Sequence, residues 1–137
     1  MSQIKLAFIA SQDETALQAK RELENKYPHV PENDADVVVV LGGDGKMLEA
    51  LRYYIDKPVK VFGMNKGTVG FLMNEFSSDN LLKRIEAATL VTLHPLRMHV
   101  ETSTGTVKEA LAFNEVSLLR ETSQTAKLRI TIDGTVR

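Results

Sequence analysis

The chain has 137 residues, with 17 Lys and Arg against 18 Asp and Glu, so its formal net charge is -1. That balance excludes a strongly basic nucleic-acid binder and a polyanionic tail, and 43% hydrophobic with 26% charged residues is the mix of a globular domain. Cysteine is absent, which removes disulfides, thiolate chemistry and Cys-ligated metals, and with only His29, His94 and His99 a His-built metal site is not expected.

Ile4 to Ala10 is an apolar run of strand length, and Ser11 and Glu14 then stand at capping-box spacing for a helix to about Lys26. Tyr27-Pro28 ends that helix, because proline pushes its predecessor out of the helical region. Val37-Val38-Val39-Val40-Leu41 does not alternate, so it is expected as a strand buried on both faces, as in a parallel sheet. Gly42-Gly43-Asp44-Gly45 follows at once, then a helical pattern of Met47, Leu48, Leu51 and Tyr54. A further strand, Val59 to Phe62, runs into a loop from Gly63 to Gly70, and a helix is expected over Ser78 to Ala88. The succession predicts a doubly wound parallel sheet with right-handed crossovers.

From about Val91 the period changes to two: Leu96, Met98 and Val100 face one way, Arg97, His99 and Glu101 the other. Val107 to Leu119 reads as one long strand, and Leu128, Ile130 and Ile132 alternate before Asp133-Gly134, a hairpin turn signal. Only three residues follow that turn, so the hairpin is expected to be cut off as it starts. The expected organisation is an α/β domain over 1–90 followed by the first part of an antiparallel β domain over 91–137.

Gly42-Gly43-Asp44-Gly45 lies where a parallel strand ends and a helix begins, a position from which loop amides and the helix N-terminus meet anions. Glycines let the backbone approach phosphate oxygens. Asp44 does not suit a purely anion-binding loop: it either takes a proton, works through a divalent cation, or simply caps the helix. The second loop, Gly63 to Leu72, would form the other wall of the cleft, with Phe71-Leu72 belonging either to the core or to ligand stacking. Asn114-Glu115 interrupts an apolar stretch; the pair either hydrogen-bonds a ligand, as an adenine edge and ribose hydroxyls would allow, or sits in water at a bulge. Lys46 and Lys66 are either phosphate-steering or solvated.

Taken in order, Gly42-Gly43-Asp44-Gly45, Gly63-Met64-Asn65-Lys66-Gly67-Thr68-Val69-Gly70-Phe71-Leu72 and Asn114-Glu115-Val116 resemble the NAD kinase family across essentially the whole chain. The resemblance implies a kinase that phosphorylates the 2′-hydroxyl of the adenosine ribose of NAD, with ATP or polyphosphate as donor and a divalent metal ion such as Mg²⁺. It implies Asp44 as general base, Phe71 as an aromatic beside the dinucleotide, and Asn114 and Glu115 as the pair that holds it. It further implies NAD and ATP as small-molecule partners and a homo-oligomer, dimer or tetramer. The balanced charge, the lack of an apolar run of ~20 residues and an N-terminus without signal zones lead to the expectation of no nucleic acid, no membrane and a cytoplasmic location. Met64 and Val69 depart mildly from the family pattern. The family's later Gly-Ser-Thr-Ala-Tyr segment does not occur, so the chain is expected to be an N-terminal fragment with little activity by itself. Competing readings are a lipid or sphingoid-base kinase, which shares the Gly-Gly-Asp-Gly loop, and a non-catalytic nucleotide-binding module.

Overall fold

The computed structural model describes residues 4–137. The chain divides into two compact units, Met1–His94 and Pro95–Arg137.

In the first unit β1 (Leu6–Ala10), α1 (Glu14–Lys26), β2 (Val37–Leu41), α2 (Asp44–Tyr53), β3 (Lys60–Asn65), β4 (Asn74–Glu75) and α3 (Leu81–Ala87) follow one another. The strands form one parallel sheet in the order β1-β2-β3-β4. Every residue of β2 is buried, and its alternate side chains serve opposite layers. Val37, Val39 and Leu41 pack with Leu6 and Phe8 of β1, with Ala16, Ala19 and Leu23 of α1, and with Leu81 of α3. Val38 and Val40 pack with Ala7 and with Met47, Ala50 and Tyr54 of α2. Each fully buried valine contributes roughly 1.5–3 kcal/mol, and no polar residue in this strand opposes that gain.

The two layers correct one expectation. Strand order advances in one direction from β1 to β3, yet α1 and α2 cover opposite faces. Two parallel crossovers stepping the same way can share a hand only if their helices share a face. One of these two is therefore left-handed, against the usual rule.

Helix starts also move. Asp13, not Ser11, caps α1: its Oδ1 accepts the Ala16 N–H at 2.9 Å. Ser11 is held at the sheet by its own N–H, which donates to Leu41 O at 2.9 Å, while its hydroxyl donates to the Asp13 carboxylate. The Ser11 hydroxyl and then the Ala16 amide keep the Asp13 carboxyl below the usual range. Tyr27 ends α1 in extended backbone, as Pro28 requires. Its hydroxyl donates to Ser78 O at 2.7 Å and accepts from Leu81 N at 3.1 Å. α3 starts later than expected because Asn80 adopts φ 53° and turns the chain first. β3 likewise continues through Gly63 to Asn65, so the second loop begins later, at Lys66, and returns to β4 without a crossover helix.

In the second unit β5 (Leu96–Glu101) and β6 (Val107–Ala112) form an antiparallel hairpin, Leu96 opposite Ala112 and Glu101 opposite Val107. The long strand expected to Leu119 stops at Ala112, opposite Leu96; the next position on the β5 side is Pro95, which has no N–H to extend the ladder. β7 (Thr131–Ile132) and β8 (Thr135–Val136) close a second, very short hairpin. Asp133 and Gly134 both have positive φ, 50° and 79°, the pattern of a type I′ turn. The hairpin expected to be cut off as it starts pairs two residues in each arm, and Arg137 N–H reaches Ile130 O at 2.8 Å. No residue from 95 to 137 is buried.

Candidate functional site

β2 and β3 are adjacent and parallel, with Leu41 opposite Met64, so the loops that follow them leave the sheet side by side at its C-terminal edge. Gly42 turns the chain there with φ 145° and donates its N–H to Met64 O at 3.2 Å. A Cβ on Gly42 would stand 2.8 Å from Ser11 Oγ, so both conformation and space require glycine. Around Gly43 and Gly45 nothing lies within 4 Å of where a Cβ would be. Their main chain can be approached closely, at the positive end of α2.

Gly43 is the N-cap of α2, without a side-chain cap bond, and Asp44 is the first helical residue. Asp44 is therefore not the cap. Its carboxylate reaches across to the second loop, where Oδ2 accepts the Phe71 N–H at 3.0 Å and Oδ1 accepts the Leu72 N–H at 3.1 Å. A Cβ at Gly70 would lie 2.5 Å from Asp44 Cγ. The carboxylate fills the place where that side chain would stand.

Phe71 and Leu72 separate. Phe71 is 102% exposed, whereas Leu72 packs against the layer of Met47, Tyr54 and Met73. Sequence reasoning missed the residue that shapes the start of this loop. Asn65 accepts the Gly67 N–H at 3.1 Å through Oδ1 and donates through Nδ2 to Thr68 O at 2.7 Å. The signal was present as Asn65-Lys66-Gly67, an Asx turn. Asn74, also missed, donates to Gly63 O at 3.0 Å.

The two lysines considered for phosphate steering have partners. Lys46 pairs with Glu49 at 2.8 Å and Lys66 with Glu22 at 3.1 Å, the latter lying 4.5 Å over the Phe76 ring. The Ser78 hydroxyl, then Lys66, holds the Glu22 carboxyl below its ordinary range. Lys66 thus ties the second loop to α1.

Asn114 and Glu115 lie beyond the end of β6, exposed, Asn114 in a bend. They are not embedded in a strand as expected, because the ladder with β5 ends at Ala112. The structure joins Asp44 to the loop that carries Phe71; Asn114 and Glu115 belong to the second unit.

Among the described residues no three acidic or imidazole side chains converge on a metal-sized site, and the Asp44 oxygens already serve two amides. Asp44 is the carboxylate that stands at the mouth of the two loops, and each of its oxygens accepts one amide N–H. No helix of the described residues is long and apolar enough to cross a membrane.

The model of the ATP-NAD kinase N-terminal domain matches residues 2–92. The NAD kinase of Hyphomonas neptunium is 52% identical over 137 residues, 100% of this chain and 54% of that protein. The NAD kinase of Brucella suis is 50% identical over 134 residues, 98% of this chain and 52% of that protein. The NAD kinase of Caulobacter vibrioides is 52% identical over 133 residues, covering 97% and 51%. The chain spans about half the length of the curated relatives it matches. Glycine loops on adjacent strand ends, a carboxylate joining them and the match across the sheet domain agree: the chain belongs to the ATP-NAD kinase N-terminal domain family.

Proposed function

We propose that this chain carries the first part of an NAD kinase, transferring a phosphoryl group from ATP or polyphosphate to the 2′-hydroxyl of the adenosine ribose of NAD. The observation that carries the reading is the joint between Asp44 and the second loop, which sets a carboxylate and the exposed Phe71 ring on one sheet edge. A ribose hydroxyl is a weak nucleophile until its proton is accepted as the new bond forms. In this reading the proton passes to Asp44, the ribose oxygen bonds to the terminal phosphorus, and the bond to the leaving phosphate breaks. Each Asp44 oxygen accepts one N–H and so keeps acceptor capacity for the hydroxyl. Donor phosphates are assigned to the open main chain at Gly43 and Gly45.

Phe71 offers a flat apolar face to a base or nicotinamide ring. Asn114 and Glu115 are assigned to holding the dinucleotide on family resemblance. A divalent ion carried on the donor phosphates would offset their charge, with Asp44 the carboxylate of this chain nearest to meet it; the proton transfer assigned to Asp44 does not depend on it. The reading includes a cytoplasmic location and self-association into a dimer or tetramer. The exposed Leu111, Leu118, Leu119 and Leu128 support a covering surface for the second unit.

The experiment uses this sequence extended to the length of its relatives, incubated with NAD and ATP or polyphosphate. NADP formation that fails in Asp44→Asn is the expected result. Phosphorylation of diacylglycerol or a sphingoid base instead would replace this reading with the lipid-kinase one, and nucleotide binding without turnover would leave only a binding module. Sedimentation of the same protein as a monomer would remove self-association.

A further inference from the structure

We infer that Asp44 and Gly70 form a latch that determines which of two consecutive side chains the second loop offers to solvent, making Asp44 the positioning residue for Phe71. Two successive main-chain N–H groups, of Phe71 and Leu72, point at one carboxylate. Consecutive amides converge on a single acceptor only where the chain bends, and there the neighbouring side chains diverge. Leu72 turns inward to the layer of Met47 and Tyr54, and Phe71 turns outward to full exposure.

Gly70 completes the device. Its missing Cβ is the space in which the Asp44 carboxyl group sits, 2.5 Å from Cγ. Any other residue there forces the carboxylate away and strips both amides of their acceptor. The Asn65 turn orders only the start of the loop, to Thr68; beyond it Leu72 is held by packing, and the main-chain N–H groups of Phe71 and Leu72 both go to Asp44. Charge-assisted bonds of this kind are about twice as strong as neutral ones. The functional consequence rests on the reading of Phe71 as the aromatic beside the dinucleotide: the latch orders that ring before the ligand arrives, which lowers the ordering cost of binding.

Residue-resolved amide hydrogen exchange on the chain itself, without ligand, tests the latch. In Asp44→Ala and in Gly70→Ala, exchange at Phe71 and Leu72 should rise by about tenfold or more, the worth of a lost charge-assisted bond. Asp44→Asn should fall between, since its amide accepts one N–H and cannot accept the second. The amides of Val37–Leu41 should keep their protection in all three. Gly70→Ala leaves Asp44 chemically intact and separates the latch from a general loss of fold. Unchanged exchange at Phe71 and Leu72 in Gly70→Ala and Asp44→Ala overturns the inference, as does a rise matched throughout β2. No nucleotide is present in this measurement, so its failure leaves the kinase reading standing, and absence of NADP formation leaves the latch standing.

Discussion

Asp44 and Phe71 lie 27 residues apart in sequence and 3.0 Å apart in space, the carboxylate of one accepting the main-chain N–H of the other. A base role alone predicts that Asp44→Asn lowers kcat and leaves NAD binding little changed. The contact with Phe71 alters that expectation. In the protein extended to its relatives' length, Asp44→Asn should lower kcat by about 10²–10⁴-fold, the usual worth of general-base catalysis. It should also raise KM for NAD, because one of two bonds ordering the Phe71 segment is lost. Steady-state kinetics separate the two effects. A normal kcat would show that Asp44 serves only the loop.

Phe71 carries no packing that its removal could disturb, since its side chain is fully exposed. Phe71→Ala should therefore leave thermal stability within about 0.5 kcal/mol of the parent. Its KM for NAD should rise about tenfold, as stacking of a base on an aromatic ring contributes roughly 1–3 kcal/mol. Phe71→Tyr keeps the ring and should keep the affinity. If Phe71→Ala binds NAD normally, the ring is not beside the dinucleotide.

Glu115, exposed beyond the end of β6, is expected to act in binding more than in chemistry. Glu115→Ala in the extended protein should raise KM for NAD with kcat nearly kept, the signature of an interaction made equally in ground and transition states. A collapse of kcat at unchanged NAD affinity would assign it to the reaction instead.

Tyr54 is buried under the sheet and donates its hydroxyl proton to Glu32 Oε2 at 2.5 Å. Burial first, and the Glu32 carboxylate second, push its pKa well above the ordinary 10.0. The native state therefore keeps a proton that the unfolded chain loses first. Its contribution is complete below the ordinary tyrosine value and is lost as pH rises toward the folded one. Tyr54→Phe should cost about 1 kcal/mol at neutral pH, the net worth of one hydrogen bond. It should also flatten the alkaline loss of stability, which urea unfolding between about pH 8 and 11 would measure. Equal alkaline slopes in the two proteins would contradict this account.

Much of the sheet domain was legible because its signals act over a few residues. Val37 to Leu41 has no polar alternate, so it has to be covered on both faces. Tyr27-Pro28 stops a helix through a steric clash within one peptide unit, and Asp133-Gly134 turns a hairpin by accepting positive φ. The glycine loop was likewise visible, since its place between a β strand and a helix is a matter of sequence order.

Other features depended on neighbours that no local pattern specifies. Asn114 and Glu115 left the expected strand because the ladder with β5 ends at Leu96, where Pro95 offers no N–H to continue it, a limit set by another segment. Ser11 lost the helix cap to Asp13 because Leu41, thirty residues on, holds its N–H at the sheet. The hand of the β1-α1-β2-α2-β3 path was decided by which face each helix covers, and apolar residues on both sides of every strand permit either. Asp44 is the clearest case. Sequence placed a carboxylate at a loop mouth, but its two amide partners come into reach only once β2 and β3 lie side by side. A hydrogen bond needs its partners within about 3 Å, and only the assembled sheet brings positions so distant in the chain to that range.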